Sequence, residues 1–397
     1  MEGEWYDSAE VAEISAERRS PFSSQVFPEE KPGISRHYLR AAFLFLGILL
    51  ALVLLELILR LLPVNEGLHS LSVNEKNPIL RYEPNRTSLW SQGWDFRIVN
   101  ELRTNNYGFV SDIDYDPNDG SNLLAVVGDS FIQADMIPPE DRAAARLAEL
   151  ARGYGRVYAF AEDGAPLSQY LALATYARDH FHPGYLVISI IANDFDSSLM
   201  KYNGKPGFHY FVKEDDGISL QRVDYEVGAS TKLVRKSALG MYLMKNLDLY
   251  LVYRQFQKGF SAAAESEHLS DPNIPVVKDS REAIDAFFSL LHRASGLDSS
   301  RILLTIDGFR NQIYTGSIQS AAGSYFDLMR RHFEEKAQRD GYELIDMQPV
   351  FEKHYLRHHQ KFEFSNDYHW NSLGHEVLAE AIARSSVFQS FLAQSRN

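Results

Sequence analysis

Ser130 follows the apolar run Leu123 to Val127 directly, in the turn Gly128-Asp129-Ser130-Phe131. A small residue at a strand end permits a sharp turn that presents a serine hydroxyl and its own N–H together. Such a hydroxyl is a poor nucleophile until a base takes its proton, and an imidazole acting as that base needs a carboxylate to fix its tautomer and stabilise its cation. Asp367 and His369, in Asn366-Asp367-Tyr368-His369-Trp370-Asn371, supply that pair. Two further segments offer donors for a developing oxyanion: Gly164, a backbone N–H in Glu162-Asp163-Gly164-Ala165-Pro166, and Asn193, a side-chain amide in Ala192-Asn193-Asp194. Donors fixed in a water-poor site supply factors of about 100 to 1000 in rate. Singly, each element has a bland reading as a helix cap, a surface hydrogen-bonding pair or a turn former. Together, in chain order and each after an apolar run or ahead of a helix, they point to acyl transfer through a serine.

The elements that must position these residues are short apolar runs alternating with helix-like stretches, the pattern of a parallel sheet with crossover helices. The runs are Leu123 to Val127, Arg156 to Phe160, Tyr185 to Ile191, Arg301 to Ile306 and Tyr342 to Ile345; the helices are expected near 139–152, 166–181, 279–295, 318–339 and 372–384. Right-handed crossovers bring all strand C-termini to one edge, where α/β ligand sites form. The segment Phe195 to Asp279 is too long for a simple connection. It reads either as a lid or acceptor-binding surface or as a structural helical hairpin.

With these residues in place, the chain resembles the SGNH (GDSL-like) hydrolase superfamily over about 123–385, its four blocks matched by Ser130, Gly164, Asn193 and His369. The resemblance implies a three-layer α/β/α sandwich with a parallel, flavodoxin-like sheet. It also implies Ser130 as nucleophile, His369 as base, Asp367 as its orienting acid, and an oxyanion hole of the Ser130 N–H, the Gly164 N–H and the Asn193 amide. Two departures stand out: Ile191 occupies a position the family usually fills with Gly, and Asp367 precedes His369 by two residues instead of three. The Asp-x-His spacing looks like that of acetyltransferase-type relatives acting on exported polysaccharides. The implied activity is that of an esterase or O-acyltransferase on acyl, chiefly acetyl, esters of envelope or exported glycans or on small esters. A transferase of this kind would draw its acyl group from a membrane acyl-donor protein. The alternative is a catalytically silent module of the same fold that binds glycan or serves as a scaffold.

Further upstream, Ala41 to Leu62 is apolar and long enough to span a hydrocarbon core of about 30 Å. Glu56 and Arg60 interrupt its far end one helical turn apart, close enough to pair. Lys31, Arg36 and Arg40 crowd its N-terminal flank, so the positive-inside bias places the N-terminus in the cytoplasm and the bulk of the chain in the periplasm or outside the cell. The organisation expected is a disordered cytoplasmic tail over 1–37, a transmembrane signal anchor over 38–62, an accessory β/loop segment over 63–122, and an SGNH-like domain over 123–397 with an insertion at 195–279. A net charge of −13 argues against a nucleic-acid partner, and the absence of cysteine excludes disulfides, thiolate metal sites and a cysteine nucleophile. No cofactor or metal is expected. His354, His358 and His359 read as a solvated helix face, Gly153-Tyr154-Gly155 as a turn, and Asn85-Arg86-Thr87 as a chance sequon.

Overall fold

The computed structural model describes residues 36–214, 217–249, 274–365 and 367–394. The tail expected over 1–37 lies outside them except for its last two residues. Two compact units divide the chain, 1–53 and 54–397. The first contributes most of one apolar helix, Arg36–Leu59, whose leucines, phenylalanines and isoleucines are exposed except for the buried Leu59 at its end. At 24 residues it is about 36 Å long. This helix starts and stops earlier than expected. Arg60, Leu61 and Leu62 form a closing turn, with the Leu61 and Leu62 amides donating to carbonyls three residues back. Pro63 disfavours helical backbone at the residue before it, which ends the helix.

In the second unit, β1 (Thr87–Gln92) and β2 (Ile98–Arg103) form an antiparallel hairpin ahead of the main sheet. That sheet contains β3 (Leu123–Gly128), β4 (Arg156–Ala161), β5 (Tyr185–Ile190), β8 (Ile302–Ile306) and β9 (Glu343–Asp346), all parallel, in the order β4-β3-β5-β8-β9. This is the flavodoxin-like order. Its two-residue side-chain period sorts the core into two layers. Leu123, Ala125 and Val127 of β3, with Leu186, Ile188 and Ile190 of β5, pack under the helices Leu167–Phe181, Pro275–Ser295 and Tyr325–Arg339. Leu124, Val126 and Val187 face the other way, toward Ala143–Leu150, Met347–His358, Ser372–Ala383 and Ser386–Gln394. The inner strands are apolar throughout because both faces are covered.

Several expected boundaries are corrected. The stretch 139–152 splits at Arg142 into a 3-10 turn, Pro139–Asp141, and the helix Ala143–Leu150. The stretch 318–339 splits likewise, because Gly323 at φ +78° and Ser324, which caps the Asp327 amide, start a new helix at Tyr325. Helices at Arg310–Thr315, Met347–His358 and Ser386–Gln394 join those expected. His358 and His359 are exposed, while His354 is half-buried and packs edge-on against Phe362 at 5.5 Å; His359 ends the helix in a left-handed conformation. Within the insertion the described residues form no helical hairpin. They form the antiparallel pair β6 (His209–Glu214) and β7 (Gly217–Arg222), then the short helices Ala229–Val234 and Ala238–Met241. Ser168 donates to the His209 carbonyl and the His209 amide to Gln169, so this pair is tied to the start of the helix that follows β4.

Candidate active site

The chain runs from β3 outward to β4 and then back across to β5 on the other side of β3, so the topological reversal falls beside the C-terminal end of β3. A crevice opens at such a point in open α/β sheets. Ser130 sits there, as the first residue of a one-turn helix, Ser130–Gln133. Asp129 caps that helix by accepting the Phe131 amide at 2.9 Å, and Ala134, at φ 51°, ends it. The turn requires glycine at 128, where a Cβ would stand 2.4 Å from Ile132 Cγ1.

His369 reaches Ser130 from a loop ahead of the helix Ser372–Ala383. Its Nε2 lies 2.8 Å from Ser130 Oγ and its Nδ1 2.5 Å from Asp367 Oδ1. With Nδ1–H donating to the carboxylate, Nε2 is left to accept the serine proton, a tautomer assigned from the hydrogen-bond network. The two-residue spacing works because the loop curls: Asp367 Oδ1 also accepts the backbone amide of His369 at 2.9 Å. Burial would raise the Asp367 carboxyl, but the His369 hydrogen bond and charge, aided by Gln92 at the end of β1, hold it below its ordinary value. Burial pulls His369 down, yet the Asp367 hydrogen bond and charge, with Asp129 and Asp163 beyond, outweigh it and leave the imidazole above its ordinary value.

Gly164 and Asn193 follow β4 and β5, the strands that pair with β3 on either side. Gly164, itself exposed, lies in a turn at φ +75°, and Asn193, also exposed, in the 3-10 turn Ala192–Asp194, whose last residue is buried. The structure therefore joins Ser130, His369 and Asp367 by hydrogen bonds and sets Gly164 and Asn193 at the flanking strand ends, with no hydrogen bond from either to the three. Ile191 is accommodated without glycine because its side chain is buried in the core and its amide donates to Asp194 at 2.8 Å.

No family model and no curated protein matches the chain. Among solved structures it is similar to an α/β hydrolase enzyme from the metagenome of Lake Arreo, Spain, at 18% identity and a TM-score of 0.36, covering 68% of this chain and 96% of that one. It is also similar to a putative GDSL-like lipase from Parabacteroides merdae at 10% identity and a TM-score of 0.36, covering 68% and 96%. A catalytic mutant of an acetylxylan esterase from Geobacillus stearothermophilus aligns at 14% identity and a TM-score of 0.35, covering 67% and 94%. These likenesses are distant, and the chemistry of the present site rests on its own atoms.

Other side chains support the site without having been marked for it by the residue pattern. Arg310 donates to the Tyr368 carbonyl at 2.7 Å, pairs with Asp307 and Glu363, and lies over the Phe131 ring, so it clamps the loop that carries His369. Its only sequence cue is its place just beyond the end of β8. Behind Ser130, burial pushes the Asp129 and Asp194 carboxyls up, with the charge of Asp163 adding to the first and those of Asp129 and Asp196 to the second. Asp194 is further held by the Tyr170 hydroxyl at 2.9 Å. Asn100 of β2 donates to the Asp135 carbonyl at 3.0 Å, just past the serine-bearing helix. Among the described residues no group of His, Asp or Glu is arranged to hold a metal. A cavity of about 670 Å³ between Gly120–Asn122 and Gly153–Gly155 opens at the opposite edge of the sheet, where β3 and β4 begin.

Proposed function

We propose that the protein is a membrane-anchored serine esterase or O-acyltransferase of the SGNH type. The observation that carries this reading is the continuous chain Ser130 Oγ, His369 Nε2, His369 Nδ1, Asp367 Oδ1, at 2.8 and 2.5 Å. Ser130 gives its proton to His369 Nε2 as Oγ attacks the ester carbonyl carbon. The resulting oxyanion is met by the Ser130 amide, the Gly164 amide and the Asn193 side chain. On collapse the carbon–oxygen bond to the leaving alcohol breaks and His369 returns the proton to it, leaving an acyl group on Ser130. Water or an acceptor hydroxyl then gives its proton to His369, attacks the acyl carbon and releases Ser130. Exclusion of water from the acceptor site decides between hydrolysis and transfer.

The finer reading is an acetyl ester of an envelope or exported glycan, handled outside the cytoplasm. It is supported by the helix Arg36–Leu59, long and apolar enough to cross a membrane, by the cationic flank that precedes it, and by the insertion beside Gly164, where Lys205 approaches. The test of the chemistry is labelling with a fluorophosphonate probe. Wild type takes up the label and the Ser130→Ala variant does not; equal labelling of the two removes Ser130 from the mechanism. Acetate release from p-nitrophenyl acetate, with and without oligosaccharide, then separates hydrolysis from transfer.

A further inference from the structure

The last turn of the apolar helix is fastened to the insertion. The Glu56 carboxylate accepts the Ser237 hydroxyl at 2.8 Å and the Ala238 and Leu239 amides at 3.0 and 2.8 Å. Arg60 donates to the same carboxylate at 2.8 Å and to the Lys236 carbonyl at 3.0 Å. Beneath these bonds Leu59 packs with Val64 and Met241. A carboxylate near the end of so apolar a helix is costly to desolvate, and here four donors satisfy it. Residues 232–242 are thereby held at the level where the helix ends.

Large apolar side chains are exposed around that level. Leu61 is 87% exposed, Leu233 70% and Trp94 69%. One exposed apolar side chain means nothing, but Leu61 directly follows the helix, Leu233 lies three residues before the Lys236 carbonyl that Arg60 binds, and the Trp94 carbonyl accepts the Tyr242 hydroxyl of the same segment at 2.9 Å; tryptophan is a side chain that anchors at a membrane–water boundary. Leu233 sits in Lys232-Leu233-Val234-Arg235-Lys236, and none of its three cations pairs with a carboxylate among the described residues. The chain as a whole carries a net charge of −13, so this cluster runs against its background.

We infer that Lys232–Lys236, with Leu61 and Trp94, docks on the anionic headgroups of the bilayer that the helix spans, holding the body of the protein against the membrane surface. Apolar side chains at this position enter the headgroup boundary while the cations meet lipid phosphates, the pattern of an interfacial segment. The site would then act at a fixed height above the lipid, on esters brought to the membrane surface.

This inference rests on the membrane-spanning reading of Arg36–Leu59 and is independent of the chemistry at Ser130. The cysteine-free chain allows single nitroxide labels on the full-length protein. Leu49→Cys, Leu233→Cys, Trp94→Cys and, as an exposed control, Leu356→Cys are placed in nanodiscs of phosphatidylcholine with or without phosphatidylglycerol. Collision with oxygen is measured against collision with a water-soluble nickel chelate. With phosphatidylglycerol, the ratio at 233 and 94 should exceed that at 356 on the order of fivefold, as for side chains about 5–10 Å into the headgroup boundary. Combined Lys232→Glu, Arg235→Glu and Lys236→Glu changes should abolish that excess. An aqueous Leu49 site overturns the membrane span itself. A lipid-exposed Leu49 with 233 and 94 matching 356 overturns the docking alone. An excess at 233 that ignores both phosphatidylglycerol and charge reversal overturns the anionic-headgroup partner.

Discussion

Two opposing effects meet at His369. Burial favours its neutral form, but the Asp367 hydrogen bond and charge, with the more distant Asp129 and Asp163, favour the cation and prevail. A general base works only when neutral, so kcat/KM should rise with pH through a value above the ordinary 6.5. Asp163 is exposed and makes no bond to the imidazole, so it acts through charge alone. Asp163→Asn removes one contribution that holds the proton on. The rising limb should therefore move to lower pH while the high-pH plateau stays. Hydrolysis of p-nitrophenyl acetate across pH 5 to 9 measures this, and a limb that stays in place shows that the Asp163 charge does not reach His369. The buried carboxyls Asp129 and Asp194 serve a different end: the first fixes the turn through the Phe131 amide, and the second ties β5 to Tyr170.

Among the elements, the one-turn helix Ser130–Gln133 depends on its contact with the end of β3. A methyl group at 128 would lie 2.4 Å from Ile132 Cγ1 and 2.9 Å from its Cβ, so the helix or the strand end must shift. Overpacking of this kind costs about 1–3 kcal/mol. Gly128→Ala should lower the melting temperature and displace Ser130 Oγ from His369 Nε2, with loss of turnover. Adding Ile132→Ala to Gly128→Ala should recover part of both, because it removes the colliding Cγ1. No recovery in the double variant would locate the requirement for glycine in backbone conformation instead of packing. The hairpin of β1 and β2 also belongs to this scale. Gln92 faces Asp367 while Asn100 holds the Asp135 carbonyl, so one accessory element braces the loops on both sides of the serine–histidine contact.

For the molecule as a whole, the apolar helix and the sheet domain make separate demands. The helix Arg36–Leu59, with its apolar side chains other than Leu59 exposed, leaves a large cost in water that a bilayer removes. The full-length protein should therefore sediment with membranes through alkaline carbonate and be released only by detergent. Protease added to spheroplasts should cut the body after residue 62, whereas protection of the body with cleavage near the N-terminus would invert the proposed topology.

The local pattern of the chain determined the five strands, because short continuous apolar runs alternating with helix-like stretches are buried on both faces within a covered parallel sheet. It likewise marked the strand ends and the helix start beside which Ser130, Gly164, Asn193 and His369 stand. Helices such as Met347–His358 and Arg310–Thr315 were less legible, their short or mixed faces giving no clean period. Tertiary structure alone decided that Asp367, two residues ahead, reaches the His369 ring, because only the curl of that loop brings its carboxylate onto both amide and Nδ1–H. It alone placed Arg310 over Phe131 and Glu56 on Ser237, 181 residues away. Such contacts are made by side chains whose types are common and whose separation in sequence follows no period, so nothing short of the packed chain specifies them.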